Sequence, residues 1–494
     1  HGGQGLPETV SSAVGEIWNA ANLSFGLCPL LTQGAIAALD AQGSDALKDI
    51  YLRKMVSGEW TGTMNLTEPQ AGSDLNAIRT RAEPQGDGTY RLFGTKIFIT
   101  YGDHDLTENI VHMVLARLPD APEGTRGISL FLVPKFLVGE DGSIRARNDV
   151  VTAGLEHKLG IHASPTCVLK YGENDGAVGY LVGEENRGLA VMFIMMNAAR
   201  LAVGVQGVAL ADRALQRAVA YAQERTQGRG PDGRRGEMSP IIAHADIRRS
   251  LMTMKALTQA ARMICLATAV ELDTAHRAET KQARERAAAR GALLTPVSKA
   301  FSTDIACEVA SMGIQVHGGM GYMEETGAAQ YLRDARILPI YEGTNGIQAI
   351  DLVARKLPLA GGGIVTEYIG ELRETVDEIR SSNRPEFGNM AERLGEAVDA
   401  LERATDFLAQ ALQSDPEAAL AGATPYLRLF GLAAGGVYLG RGALGGVRDG
   451  GDDARIVTAR FFAEQIAVGA TGCASAIVDG GEVFREVTAE RLAG

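Results

Sequence analysis

The residues Ile340-Tyr341-Glu342-Gly343-Thr344-Asn345 put one carboxylate between an aromatic ring and a glycine, after the charged run Arg333-Asp334-Ala335-Arg336. A carboxylate in an apolar, turn-prone setting is a candidate general base, because partial burial raises its pKa toward the working range. Read alone, the tripeptide is equally a solvated turn in which Gly343 supplies a left-handed helix cap. A second segment lies far upstream, Met64-Asn65-Leu66-Thr67-Glu68-Pro69-Gln70-Ala71-Gly72-Ser73-Asp74. A third, Gln315-Val316-His317-Gly318-Gly319-Met320-Gly321, carries glycines that let backbone N–H groups approach a phosphate closely, although a bare Gly-Gly-x-Gly also makes a simple turn.

Three textures of chain must position these segments. Residues 8–56 are rich in Ala and Leu at helical spacing, with interruptions expected at Leu27-Cys28-Pro29 and Ala41-Gln42-Gly43-Ser44. From 60 to about 182 short β-rich runs take over: Tyr90–Phe93, Lys96–Thr100, Ile110–Leu115 and Ile128–Val133. Turn clusters at Gln85–Gly88 and Glu140–Ser143 separate them, which predicts a compact β domain. After Gly188 the period becomes helical, and Ile247, Leu251, Met254, Thr258, Ala261 and Cys265 form a stripe that reads as helix-bundle core. Residues 283–291 look like an exposed helix end or loop, and Leu359–Gly363 reads as a hinge. Residues 366–494 are helical again, with breaks expected at Gly435-Gly436 and Asp449-Gly450-Gly451.

A chain of 494 residues exceeds one compact core. The domains expected are a helical remnant at 1–59, a middle β domain at 60–186, a helical bundle at 187–357 and an additional helical domain at 364–494. A net charge of −12 would repel a phosphate backbone, so no nucleic-acid partner is expected. Cys28, Cys167, Cys265, Cys307 and Cys473 form no CxxC or Cys/His cluster and read as reduced thiols of a cytoplasmic protein. No apolar run is read as approaching the ~20 residues of a membrane span. His104, His112 and His157 have no metal-ligand spacing, so no metal is expected. The GxGxxG spacings at Gly228–Gly233 and Gly440–Gly445 follow no strand and predict no nicotinamide site.

Taken together, the Thr67-Glu68-Pro69-Gln70-Ala71-Gly72-Ser73-Asp74 and Ile340-Tyr341-Glu342-Gly343-Thr344 segments resemble the acyl-CoA dehydrogenase family. The resemblance covers about residues 15–357. It implies a mainly α fold with a central β domain, in which a helical segment, a β-barrel-like middle domain and a four-helix domain hold FAD between the last two. Runs such as Gly94–Ile99 and Gly127–Phe136 look most like a long subgroup with an extra helical tail. The chemistry implied is removal of the proton next to a thioester carbonyl and transfer of a hydride to flavin, giving a trans-2-enoyl-CoA. The family's enolate oxygen is held by the N–H of the base and by a ribityl hydroxyl.

By resemblance Glu342 is the base. Met64, Leu66 and Thr67 lie against the flavin ring, Gly72 and Ser73 meet the pyrophosphate and ribityl region, Phe98 packs on the ring and Thr100 reaches N5. Arg225 reaches the FAD of a neighbouring subunit, Gln315, Gly318 and Gly319 form its adenine-side loop, and Thr344 lies near the phosphates. Ser73, Arg200, Gly343 and Arg355 fall on the substrate side. The partners implied are an acyl-CoA, an electron-transfer flavoprotein and a second copy of the chain, the tail favouring a dimer over a tetramer, with no stable membrane association.

Two positions depart from the pattern: Gly346 replaces a common Gln, which predicts a roomier pocket, and Ala199 stands where some relatives place the base. The family also has a longer helical domain before the flavin segment, so the first helices are expected to be missing from a chain that begins at His1. An acyl-CoA oxidase on the same fold and a flavin-containing nucleic-acid-associated relative are the competing readings, the latter disfavoured by the acidic run Asp449–Asp453.

Overall fold

The computed structural model describes residues 4–231, 233, 234, 236–448 and 453–494. The expected break at Asp449-Gly450-Gly451, most of the acidic run after it and residue 232 of the first GxGxxG spacing lie outside the described residues. The chain divides into two compact units. One holds Ala21–Ala199 and the short stretch before Pro7, and the other holds Pro7–Ala20 and Arg200–Gly494.

The first unit is built on a sheet of β1 (Trp60–Asn65), β2 (Arg81–Pro84), β3 (Tyr90–Thr100), β4 (Asn109–Arg117), β5 (Ile128–Pro134), β8 (Val150–Leu155), β9 (Thr166–Tyr171) and β10 (Ala177–Leu181), with β6 (Phe136–Val138) and β7 (Ile144–Arg147) as a separate ribbon. The order is β1-β4-β5-β10-β3-β9-β8, and β2 joins β3 and β4. Strands β4 and β5 are antiparallel and read as near-continuous apolar runs because both faces are covered. Val111, Met113 and Leu115 pack in one core with Ile128, Leu130 and Leu132, while Val114, Ala116, Phe131 and Val133 pack in another. That alternation is the two-residue period of a strand. The two runs expected at Tyr90–Phe93 and Lys96–Thr100 are one strand, β3, with its register shifted between Lys96 and Ile99 against β9.

Helix Leu23–Gln42 passes through Pro29 without the expected interruption and ends before Gly43, as expected there. The carbonyl that Pro29 cannot serve belongs to Phe25, which is exposed, so water can satisfy it. The expectation that no apolar stretch approaches membrane-spanning length is also corrected. Helix Leu23–Gln42, helix Gly188–Glu224 and the stretch Ala454–Val478 are long and apolar enough to span by length and composition. Their apolar windows are 56%, 56% and 33% buried within the protein. Small Ala, Gly and Met side chains spread their hydropathy too thinly to stand out as runs.

In the second unit, helices Gly188–Glu224 (from Arg200 on), Ala245–Arg277 and Lys281–His317 form a bundle. Leu251, Met254, Thr258, Ala261 and Cys265 of the predicted stripe are buried in it. Helix Glu8–Ala21 belongs here and not with a separate amino-terminal remnant. Asp273 accepts the Glu8 and Thr9 N–H groups at 2.6 and 2.9 Å, and Arg262 grips Glu16 at 2.6 Å.

Residues 283–291 are not a loop but the first turns of helix Lys281–His317, an end as expected, with Glu285, Arg286 and Ala288 exposed but Ala287 and Arg290 buried. Arg290 is buried, meets Glu371 at 2.8 Å and lies 4.8 Å from the Tyr368 ring centroid, so this arginine binds the tail instead of water. The expected hinge is a tight turn with φ of +49°, +65° and +90° at Ala360, Gly361 and Gly362, and the helix after it is locked by buried Val365, Tyr368 and Ile369. Gly435-Gly436 do not break helix Ala423–Arg448, because a Cβ on Gly435 would stand 2.9 Å from Ala260 and one on Gly436 would stand 2.6 Å from Leu394. These glycines let the tail helix sit close on its neighbours, and tail and bundle share one core.

Gly431 of this helix is the tightest such contact, its missing Cβ lying 2.1 Å from the Phe301 ring. Gly431→Ala is therefore expected to lower stability by ~1–3 kcal/mol through overpacking. Gly442→Ala, on the same helix with open space around it, should be neutral or add up to ~1 kcal/mol through helix propensity. Urea unfolding of both variants checks the contrast.

Candidate active site

In the first unit the segment after β1 is held by a buried ion pair. Glu68 is 4% exposed, and its carboxylate accepts hydrogen bonds from Lys96 Nζ at 2.8 Å, Thr80 Oγ1 at 2.6 Å and the Arg79 N–H at 2.8 Å. Lys96 Nζ also donates to the Leu66 carbonyl at 2.9 Å, and the Ile97 N–H donates to the Thr67 carbonyl at 2.9 Å. Burial opposes charge on Glu68, but the Lys96 ammonium and the Thr80 and Arg79 donors outweigh it and hold the carboxyl down at about 2. Burial draws Lys96 down to about 8 against the attraction of Glu68, so the pair is ionic at neutral pH.

This anchoring brings Met64, Leu66 and Thr67 beside the β3 bulge that carries Phe98 and Thr100. Phe98 is 59% exposed at φ +60°, an aromatic side chain held outward by a backbone conformation that L-residues disfavour. Gly72 and Ser73 are exposed further along the same loop, and a Cβ on Gly72 would meet nothing within 4 Å. Met64 itself is buried in the core, so only its backbone is available there. Ala199, where some relatives have the base, is buried in the same core cluster. Behind β1, Tyr171 donates to Asn65 at 2.9 Å, Asn65 donates to Thr63 at 2.8 Å, and Thr63 meets His112 at 2.7 Å. Burial pushes His112 down to about 3, so the ring is neutral and structural.

In the second unit Glu342 and Gly343 form a left-handed turn between helix Ala328–Ala335 and helix Asn345–Asp351, with φ +55° and +86°. At φ +86° any side chain on Gly343 would be strained, and a Cβ there would stand 2.7 Å from Gln348 Nε2 and push that amide off the turn. Gln348 Nε2 donates to the Glu342 and Gly343 carbonyls at 3.3 Å each. Thr344 caps the next helix by accepting the Ile347 N–H at 3.3 Å. Lys299 is fully buried and donates to the Gly343 carbonyl at 2.9 Å and to Asn345 Oδ1 at 2.8 Å. Tyr341 Oη donates to Gln206.

Burial raises the Glu342 carboxyl to about 7, with Lys299 and Arg200 pulling the other way. The rise toward the working range that partial burial predicts is present in the fold. Arg200 is buried and lies 3.6 Å from Asp351, which Arg355 also meets at 2.6 Å, so the two arginines share one carboxylate. Gly346 is exposed, with no neighbour closer to an added Cβ than Thr344 Oγ1 at 3.9 Å.

Arg225 and the 315–319 loop come together at one end of the bundle. Tyr221 stacks on His317 with centroids 4.4 Å apart, joining the end of helix Gly188–Glu224 to the end of helix Lys281–His317. Arg225, Gln315, Gly318 and Gly319 are exposed there, and Gly318 has φ +61°. Met320, Tyr322 and Met323 are exposed beside them at 51%, 80% and 45%.

Sequence reasoning assigned no role to Glu68, Lys96, Lys299 or Gln348. Glu68 and Lys96 stand inside segments it singled out. The signal for Lys299 was a single charge in the otherwise uncharged run Leu293–Phe301, which the helix buries.

Family models match three parts of the chain: acyl-CoA dehydrogenase middle domain at 63–172, acyl-CoA dehydrogenase C-terminal domain at 186–357, and acetyl-CoA dehydrogenase C-terminal like at 368–487. The chain is 52% identical over 489 residues to 3-methylmercaptopropionyl-CoA dehydrogenase of Ruegeria pomeroyi, covering 98% of this chain and 82% of that protein. It is 41% identical over 363 residues to a butyryl-CoA dehydrogenase of Syntrophomonas wolfei, covering 72% of this chain and 59% of that one. Its fold is like that of an acyl-CoA dehydrogenase from Bacillus anthracis solved in complex with FAD, at TM-score 0.77 and 24% identity over 99% of this chain and 80% of the other.

The Glu68–Lys96 pair has a measurable signature. A carboxyl held at about 2 in the folded protein adds stability that is complete above its unfolded value of ~4.3 and is lost as pH falls through about 2. Glu68→Gln should remove that acid limb and cost ~3 kcal/mol at pH 7 by leaving Lys96 buried without its partner. Denaturant unfolding from pH 7 down to pH ~3 reads both effects.

Proposed function

This chain belongs to the acyl-CoA dehydrogenase family, and we propose that it removes an α-proton from a linear acyl-CoA thioester with Glu342 as base, yielding the trans-2-enoyl-CoA. The observation that carries this reading is Glu342 itself, held in a left-handed turn with its carboxyl raised to about 7. A base poised near the working pH combines the ionised form with a strong affinity for the proton. The Glu342 N–H makes no hydrogen bond among the described residues, which leaves it as a donor for the enolate oxygen. The Arg200 guanidinium, within 3.8 Å of a Cβ built on Gly343, adds positive charge beside the developing enolate.

FAD is the cofactor of this reading, and when bound it accepts the β-hydride. The residues present fit such a group. Phe98 offers an exposed aromatic face, Thr67 and Thr100 offer hydroxyls, and the open backbone at Gly72-Ser73 allows close approach of an anion. Electrons then pass to an electron-transfer flavoprotein. Arg225 and Gln315, exposed beside Met320, Tyr322 and Met323, support a homodimer in which that end of the bundle reaches a partner copy. Five free cysteines accord with a cytoplasmic setting.

For the acyl group, the 52% relative makes the thioether 3-methylmercaptopropionyl-CoA the first substrate to test, with unbranched chains beside it. Open space at Gly346 supports room for more than the shortest acyl group. Each methylene buried should strengthen binding by ~0.8 kcal/mol until the pocket floor is reached.

Anaerobic bleaching of the flavin by a panel of these thioesters tests the reading. Glu342→Gln should retain FAD and fold while flavin reduction falls by ~10²–10⁴-fold. Near-normal reduction in that variant would contradict it.

A further inference from the structure

Lys299 has a placement that the proposed reaction does not use. A fully buried lysine is rare unless paired, yet its two hydrogen-bond partners are a carbonyl, that of Gly343, and an amide oxygen, that of Asn345. Asn345 is fixed in turn by donating to Ala300 O at 3.1 Å, Thr303 Oγ1 at 2.9 Å and Asp304 Oδ1 at 2.7 Å. The ammonium therefore sits directly beneath the residue that follows Glu342, on a rigid helix. Gln348 holds the same carbonyl from the other helix at 3.3 Å. Two donors on one carbonyl lock a turn whose non-glycine member, Glu342, carries the strain of φ +55°.

We propose that Lys299 is a positioning residue for the base: its buried ammonium pins the Glu342-Gly343 turn in its left-handed form and supplies positive charge that favours the carboxylate. The proposal rests on Glu342 being the base. Burial alone would push Glu342 further up, and Lys299 is the larger of the two opposing influences, ahead of Arg200. Lys299 is itself drawn down to about 7 by burial, with Glu342 and Asp304 favouring its charge and Arg200 opposing it. Charged and titratable groups on the elements packed around the pair include Asp351, Arg355 and Lys356 after the turn, Tyr341 and Arg336 before it, Cys307 and Glu308 on the helix of Lys299, and Arg428 on the tail. Arg336 and Arg428 act on Asp304. Tyr341, raised well above its ordinary value, stays neutral.

Three variants separate charge from hydrogen bonding. Lys299→Met removes both, Lys299→Gln keeps a donor without the charge, and Lys299→Arg keeps the charge. The readout is the pH at which the rate of anaerobic flavin reduction by acyl-CoA is half-maximal, measured in FAD-loaded protein. Loss of positive charge raises the folded value of Glu342, so the rising limb should move to higher pH by about one unit or more in the Met and Gln variants. In the Arg variant it should stay at or below the wild-type position. Should the Met variant fail to fold, the Gln variant carries the test. A midpoint within about 0.3 unit of wild type in both neutral variants, or an equal upward shift in the Arg variant, would overturn the proposal. Glu342→Gln in the same assay separates the two levels: if it still reduces flavin at the wild-type rate, the base assignment fails, and with it the role given to Lys299.

Discussion

A carboxylate that is to take a proton from carbon must be dry enough to want it and ionised enough to receive it. Those demands oppose each other, and in the proposed reading Glu342 meets both. Burial lifts Glu342 to about 7, and two cations on different helices, Lys299 and Arg200, stop it from rising further. The turn that presents the carboxylate is closed by the Asn345 N–H donating to the Pro339 carbonyl at 2.9 Å. It is held by donors from outside, Lys299 and Gln348 on its carbonyls and the Thr344 cap at its exit. Glycine at 343 is favoured by φ +86°, and a Cβ there would also displace the Gln348 amide that holds the turn.

The first unit solves a different problem with similar parts. Glu68 and Lys96 form a buried pair that is meant to stay ionic, since five donors converge on the carboxylate and hold it at about 2. A pair so satisfied is costly to break from one side, and its carboxylate does not titrate near neutrality. Its position, between the Thr67 loop and β3, fixes the backbone around Phe98. The contrast is instructive. A carboxylate bonded directly to its lysine becomes an anchor. One whose lysine instead bonds the neighbouring carbonyl is left near 7, where proton transfer is possible.

Much of this was legible from residues. Strands β3, β4 and β5 and the stripe Leu251–Cys265 were visible because period and turn chemistry are local properties, whereas the segments at 64–74, 98–100, 315–319 and 342–344 stood out only through the family resemblance. What escaped depends on distant packing. The Arg-Ala run at 283–291 looked solvated, and only the tail's Glu371 and Tyr368 make Arg290 a buried contact. Gly435-Gly436 looked like a break because sequence shows the missing side chain but not the helix that fills its place. Helix Glu8–Ala21 could not be assigned to the bundle without seeing Asp273 and Arg262 reach it. Lys299 carried a faint trace, one charge among uncharged neighbours, whose meaning waited on the carbonyl it holds.

The claim on which the rest turns is that Glu342 takes the α-proton, and it can be tested apart from electron transfer. An acyl-CoA with sulfur in place of its β-carbon can lose an α-proton but has no β-hydride to give. Incubated in deuterated buffer with FAD-loaded protein, such a thioester should gain deuterium at its α-carbon, and should gain none above the uncatalysed rate with Glu342→Gln. Deuterium incorporation at the wild-type rate in the Gln variant would mean that another group removes the proton, and the account of this site would be wrong.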